Sequence, residues 1–195
     1  MSLYHVTFGT PDYMQKYLEP WCAGTSPNRI IVPIPQCPWL DAVRQKPRIL
    51  LDILRGLNPD SAIIYSDLDA ALRPGAGEAM AQKCNGIPGL ALMDTDAHYG
   101  YPLDPPFEWL TGAIYLPRSK MSWDLLISWI DGLGRDATAP DGLAFAGIMG
   151  LDDRVKALDS AIWGWIPTRP NGEPSGIPGD KALIIHGQAS RSMRR

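Results

Sequence analysis

The chain has 195 residues, enough for one domain that buries roughly two-thirds of the surface its unfolded form would expose. A hydrophobic fraction of 45% with charged residues at 20% is ordinary for a globular protein and excludes general disorder. The formal net charge of -3 provides no overall attraction to nucleic acid or to anionic membranes.

The cysteines and the apolar runs indicate the compartment. Cys22, Cys37 and Cys84 are odd in number and lack CxxC spacing, so the sequence predicts neither a disulfide framework nor a zinc site. No signal-peptide pattern is present at the start, and no apolar run approaches the ~20 residues of a membrane span. We therefore expect a cytoplasmic protein with a single domain over residues 1–195 and no membrane partner. Its basic tail, residues 190–195, is either solvated or contacts phosphates.

The first half of the chain alternates strand and helix patterns. Residues 3–8 alternate as a strand does, and residues 12–21 follow as a short helix. Residues 29–34 (RIIVPI) form a second, mostly apolar strand. One helix is predicted over residues 39–57 from its apolar spacing. Residues 61–66 (SAIIYS) then predict a buried strand.

The second half continues this alternation. It is predicted as helix at 75–83, 123–133 and 142–149, and as strand at 89–93, 109–116, 155–162 and 182–185. No internal repeat interrupts the series. Alternating strands and helices indicate a single α/β three-layer sandwich with a mostly parallel central sheet.

Two carboxylates follow the buried strand at 61–66, separated by one residue. Asp67 and Asp69 would share one face of a straight strand, so both could reach one Mg²⁺ or Mn²⁺ ion. Such an ion neutralises a diphosphate and stabilises it as a leaving group. The carboxyl edge of an open α/β sheet is where ligands bind. A solvated turn is the alternative interpretation, and residues 94–96 (DTD) form a second, lower-ranked pair.

His186 also follows an apolar strand pattern. An imidazole that joins two carboxylates suits Mn²⁺ better than Mg²⁺, so His186 is the predicted third ligand beside Asp67 and Asp69. The alternative is a histidine that is hydrogen-bonded at a strand end. His5 and His98 show no comparable pattern.

Four separated motifs, taken in order, resemble those of the GT-A glycosyltransferases, most closely the glycogenin-like and galactosyltransferase-like group. They are residues 6–13 (VTFGTPDY), 46–48 (KPR), 65–70 (YSDLDA) and 186–191 (HGQASR). The resemblance implies a GT-A-like, Rossmann-like fold and a nucleotide-sugar site. It implies base and ribose contacts from Thr7, Phe8, Gly9 and Tyr13, phosphate contacts from Lys46 and Arg191, and metal–diphosphate binding by Asp67, Asp69 and His186.

Two weaker matches concern the donor sugar. Residues 110–116, with Thr111 and Gly112, resemble the segment that lines the sugar pocket, and residues 140–145 resemble the segment that carries Asp141 near the reacting carbon. Asp141 would act as a general base in an inverting enzyme or as an electrostatic stabiliser in a retaining one. The resemblance of residues 186–191 to the glycogenin-like group favours retention of the anomeric configuration. The chain departs from the family pattern at Leu110, Gly142 and Arg191, where the family has Asn, Gln and Lys.

Three of these residues also have a purely structural interpretation. Tyr13 could pack its helix on the sheet, Lys46 could be a surface lysine, and Asp141 could be only a helix N-cap.

Together these motifs predict a metal-dependent glycosyltransferase. It would use Mn²⁺ or Mg²⁺ and move a hexose from a UDP-linked sugar to a hydroxyl acceptor. One acceptor compatible with the basic tail is hydroxymethylated pyrimidine in DNA, as modified by compact bacteriophage glycosyltransferases, and a protein or small-molecule hydroxyl is the other. Two further classes stay open: a catalytically silent nucleotide-sugar-binding module and a metal-dependent phosphohydrolase.

Overall fold

The computed structural model describes residues 1–94, 107–135, 137–138, 155–158, 163–165 and 182–186. This part of the chain forms a six-stranded sheet, a three-stranded sheet and five helices. The helix predicted over residues 142–149 lies outside it. None of the helices within these ranges is both long and apolar enough to cross a bilayer.

The strands and helices alternate along the chain as expected. In chain order they are β1 (Ser2–Gly9), α1 (Pro11–Gly24), β2 (Arg29–Pro33), α2 (Trp39–Arg44), α3 (Lys46–Gly56), β3 (Ser61–Ser66), β4 (Ala70–Leu72), α4 (Ala76–Cys84), β5 (Gly89–Asp94), β6 (Phe107–Pro117), α5 (Lys120–Arg135), β7 (Lys156–Leu158), β8 (Trp163–Trp165) and β9 (Ile184–His186).

The six-stranded sheet has the order β2-β1-β3-β6-β5-β7. β1 runs parallel to β2 and β3, and β5 runs parallel to β7. β6 is antiparallel to both of its neighbours, so it alone among these six strands runs the other way. The prediction of a mostly parallel sheet is therefore confirmed. Because β6 runs against β1 and β3, its first half extends past the edge at which those two strands end.

Side chains on the two faces of the sheet pack against different helices. On β3, Ile63 and Tyr65 belong to one apolar cluster, which also contains residues of α3 and α5. Ala62 and Ile64 point to the opposite face and belong to a second cluster, with Trp21 of α1 and residues of α4. All six residues of β3 are buried, which explains its continuous apolar sequence. The helix–sheet–helix arrangement is the predicted three-layer sandwich.

The prediction of one helix over residues 39–57 is wrong. The structure has two successive helices, with Gln45 ending α2 and preceding α3. Pro47 lies in the first turn of α3. Proline fits a first turn because no intrahelical partner is lost there, whereas in a continuous helix it would remove a hydrogen bond and clash with the preceding turn.

Gly24 is required by a close contact between α1 and β4. A Cβ added at Gly24 would lie 2.1 Å from the Leu72 carbonyl oxygen, and backbone cannot move aside easily. We expect Gly24→Ala to lower the free energy of unfolding by about 2–3 kcal/mol, measured by urea denaturation. Gly56→Ala is the control because nothing lies within 4 Å of its added Cβ. Equal stability of the two variants would contradict the close approach.

His5 of β1 makes stability depend on pH. Burial lowers the pKa of His5 below its ordinary value of 6.5; nearby Glu78 raises it and Arg29 lowers it further, both by smaller amounts. The folded protein thus keeps a neutral imidazole that the unfolded chain protonates, so stability should fall as the pH drops below about 6.5. The slope is at most about 1.4 kcal/mol per pH unit. Urea denaturation at pH 7.5 and 5.5 should show a larger loss for the wild type than for His5→Gln, and equal losses would refute this origin.

Candidate functional site

The two predicted metal carboxylates lie in a turn at the carboxyl edge of the large sheet. β3 ends at Ser66, and the Ala70 amide donates a hydrogen bond to the Asp67 carbonyl at 3.0 Å, which closes a four-residue turn before β4. The two carboxylates therefore lie in a turn after the strand, and the same-face geometry of a straight strand does not describe them. β3 stops pairing there because the chain reverses to begin β4. Both side chains are half-buried, whereas Leu68 between them is buried.

Gly9 permits the turn to lie against the end of β1. A Cβ at this position would be 2.6 Å from the Leu68 Cδ1 atom. β1 and β3 are parallel and end at the same edge, so Leu68 inserts at the position where a larger residue 9 would stand. The side chain of Tyr13 on α1 also borders this position, with its Cδ1 atom 3.8 Å from an added Cβ.

Lys46 is buried beneath Asp67, which excludes its interpretation as a surface lysine. Its exposure is 2%, and its Nζ atom lies 3.2 Å from Asp67 Oδ1. The ammonium also donates to the Thr111 carbonyl at 3.1 Å and to the Thr111 hydroxyl at 3.3 Å. It lies 5.1 Å from the centre of the Tyr65 ring. The Lys46 ammonium thus links α3 to the turn at residues 67–70 and to β6.

Tyr65 is a site residue that sequence reasoning missed. Its hydroxyl donates to the same Asp67 Oδ1 atom that faces Lys46. Its ring also stacks on Phe8, with 5.7 Å between the ring centres. The signal was present in the sequence, because Tyr65 precedes Asp67 by two residues and would therefore share its side of an extended chain.

Tyr13 faces both carboxylates from α1. Burial raises the pKa of Tyr13 above its ordinary value, and the charges of Asp69 and Asp67 raise it further. The hydroxyl also hydrogen-bonds to Asp69. Tyr13 packs against Tyr17 with 4.6 Å between ring centres. The phenol therefore stays protonated and serves as a donor to the Asp69 carboxylate.

The small sheet brings the backbone of His186 to the turn at residues 67–70. β4 pairs antiparallel with β9, and the register sets Ala70 opposite His186. Paired Cα atoms of this kind are about 4.5–5.5 Å apart. The residue after Asp69 is thus a direct cross-strand neighbour of His186, although the side chain of His186 lies outside the described residues. Among the side chains that are described, no group of three His, Cys, Asp or Glu forms a complete metal site.

The remaining predicted contacts differ in burial. Thr7 is fully buried, with no hydrogen-bond partner for its hydroxyl in the described structure, and Phe8 is 7% exposed. Thr111 is 7% exposed, and the Gly112 carbonyl accepts a hydrogen bond from the Asp67 amide at 3.0 Å. The segment predicted to line a sugar pocket and the turn at residues 67–70 are therefore in direct contact. Asp141 and Arg191 lie outside the described residues.

Comparisons with known proteins identify the fold. No protein-family model and no curated protein sequence matches the chain. Among solved structures, a glycosyltransferase involved in glycosylation of the major capsid of PBCV-1 matches with a TM-score of 0.63 and 11% identity, over 100% of this chain and 99% of that one. The bifunctional glycosyltransferase WbbM matches with a TM-score of 0.66 and 10% identity, over 96% of this chain and 46% of that one.

A third structure is the galactosyltransferase LgtC, solved with donor and acceptor sugar analogs. It matches with a TM-score of 0.56 and 10% identity, over 95% of this chain and 88% of LgtC. At such identities the likeness concerns the fold. The layered sheet, its antiparallel β6 and the matches over nearly the whole chain agree with the expected architecture, and this chain therefore has the GT-A fold of these glycosyltransferases.

Proposed function

We propose that this protein is a metal-dependent glycosyltransferase that moves a hexose from a UDP-linked sugar to a hydroxyl acceptor. The observation that supports it best is the carboxylate turn at residues 67–69. It stands at the ligand-binding edge of a GT-A fold, beside Thr111 of the predicted sugar pocket and across a strand pair from His186.

The residues at the turn fit a divalent cation. Asp67 and Asp69 supply the hard oxygen ligands that Mg²⁺ and Mn²⁺ prefer, and His186 would add the nitrogen that favours Mn²⁺. When bound, the ion would neutralise the diphosphate and stabilise it as a leaving group. Tyr13 holds Asp69 through its hydroxyl, and Tyr65 holds Asp67, so the two carboxylates are oriented by neighbouring side chains.

The other predicted contacts complete the donor site in this proposal. Thr7, Phe8, Gly9 and Tyr13 would form the wall around the base and ribose, and Arg191 would approach the diphosphate. Thr111 and Gly112 would border the sugar, with Asp141 facing the anomeric carbon. Asp141 would then act as a base or as an electrostatic stabiliser, according to whether the reaction inverts or retains configuration.

The acceptor proposal has two branches. A hydroxymethylated pyrimidine in DNA would use the basic tail at residues 190–195 for phosphate contacts. The end-to-end match to a capsid-glycosylating enzyme makes a protein hydroxyl the other branch. Nucleoside mass spectrometry of hydroxymethylcytosine-containing duplexes, incubated with several donors, should show a gain of one hexose in the first branch only.

Donor hydrolysis tests the proposed activity without knowledge of the acceptor. Incubation with UDP-sugars and Mn²⁺ should release free sugar and UDP slowly, and EDTA should stop the release. Asp69→Asn should reduce the rate at least about 100-fold, because the leaving diphosphate then lacks its cation. The control Asp60→Asn alters an exposed carboxylate just before β3 and should keep the wild-type rate. Nucleotide binding without hydrolysis would instead indicate a silent module, and phosphate release from simple esters would indicate a phosphohydrolase.

A further inference from the structure

The proposed donor site contains a buried positive charge, the ammonium of Lys46. Lys46 Nζ contacts Asp67 Oδ1, the Thr111 carbonyl and the Thr111 hydroxyl, each within 3.3 Å. Its side chain is 3% exposed, and the Asp67 side chain is 27% exposed. The carboxylate therefore stands between the ammonium and the open side of the site. A charge held in this way acts on ligands through the field it produces.

This charge has opposite effects on the two partners of the site. A divalent cation that approaches alone meets one carboxylate whose charge Lys46 already offsets in part, so Asp69 supplies more of the attraction than Asp67 does. A diphosphate that approaches alone meets a turn that is less negative than two carboxylates would make it. The interaction energy of unit charges a few ångströms apart is on the order of 1–4 kcal/mol at the dielectric of a protein surface.

We propose that Lys46 is a resident cation of the donor site that weakens the binding of a divalent ion alone and favours the diphosphate, so that the metal is recruited together with the donor. The inference rests on the proposed function of this site. Lys46 acts through Asp67 and is thus a positioning residue. Its ammonium already binds protein acceptors. It contacts Asp67 in the turn and donates a hydrogen bond to the Thr111 carbonyl, so it connects the turn to β6.

Titrations with Mn²⁺ alone and with UDP alone test the sign of this effect. Free Mn²⁺ is followed by electron paramagnetic resonance, and UDP is titrated in EDTA by ligand-observed NMR. Lys46→Gln and Lys46→Met should each bind Mn²⁺ at least about threefold tighter and UDP at least about threefold more weakly than the wild type at low salt. A lysine with a merely structural role would, when removed, loosen the turn and weaken both ligands.

Three comparisons make the result specific. Arg48→Gln removes the same charge from an exposed position on the same helix, so both affinities should stay within about 1.5-fold of the wild type. Adding Asp69→Asn to Lys46→Gln should remove the gain in Mn²⁺ affinity, which locates the ion at this turn. Lys46→Gln keeps an amide that can donate to Thr111. If Lys46→Met does not fold, the titrations are made with Lys46→Gln alone.

The outcomes separate the inference from the proposed activity. Unchanged or weaker Mn²⁺ binding in folded Lys46 variants would overturn the resident-cation inference, even in a protein that hydrolyses UDP-sugars. Tighter Mn²⁺ binding with weaker UDP binding would support it. The same result in a protein without donor hydrolysis would leave the inference standing and remove the proposed transferase activity.

Discussion

Asp69→Ala should abolish the Mn²⁺-dependent binding of UDP. The diphosphate would reach the turn without its cation and would meet Asp67, whose negative charge Lys46 offsets only in part because 27% of the Asp67 side chain is exposed. Calorimetric titration of UDP in the presence of Mn²⁺ should therefore show at least about a 100-fold loss of affinity, equivalent to the loss of about 2.7 kcal/mol.

Asp60→Ala is the matched control for this experiment. Asp60 is exposed and lies at the opposite end of β3, where its carbonyl accepts a hydrogen bond from the Ser2 amide. That bond involves the backbone, so the substitution should leave both folding and UDP affinity unchanged. An Asp69→Ala protein that binds UDP with Mn²⁺ as tightly as the Asp60→Ala protein would remove the metal assignment.

Lys46→Met and Asp67→Asn should each lower the free energy of unfolding by about 2–4 kcal/mol in EDTA. Breaking one half of a buried pair leaves an uncompensated charge, and the cost is reduced here because Asp67 is partly exposed. The double variant should lose less than the sum of the two single losses, since no unpaired charge remains in it.

The Lys120–Asp124 pair provides the comparison for this cycle. It has the same charges on the surface of α5, with side chains 82% and 50% exposed. Lys120→Met should change stability by less than about 0.5 kcal/mol because exposed pairs contribute little. Urea denaturation measures all of these variants. Strictly additive losses for Lys46→Met and Asp67→Asn would show that the two residues do not act as a pair.

Helices and strands were predictable where a pattern of neighbouring residues indicates them. The buried strand before Asp67 has a continuous apolar sequence, and the α/β alternation indicated the layered fold. The break between α2 and α3 was also readable, because Pro47 cannot occupy the interior of a continuous helix. β4 was missed, since its three residues, Ala70–Leu72, carry no periodic pattern and form a strand only by pairing with β9.

The site was predictable by residue type and only partly by geometry. The spacing of Asp67 and Asp69 indicated a shared ligand, but the turn that holds them depends on the start of β4. The burial of Lys46 could not be read from its neighbours in sequence, because its partners are Asp67 and, 65 residues away on β6, Thr111. Long-range pairing of this kind leaves no local pattern.

The location of a bound Mn²⁺ ion tests the central claim most directly. Crystals grown with UDP and Mn²⁺, measured near the manganese absorption edge, would give an anomalous difference map that shows the ion itself. We expect a single strong peak at bonding distance, about 2.0–2.3 Å, from carboxylate oxygens of Asp67 and Asp69, in contact with the UDP diphosphate. A peak away from this turn, or UDP bound elsewhere with the turn lacking manganese, would contradict the account.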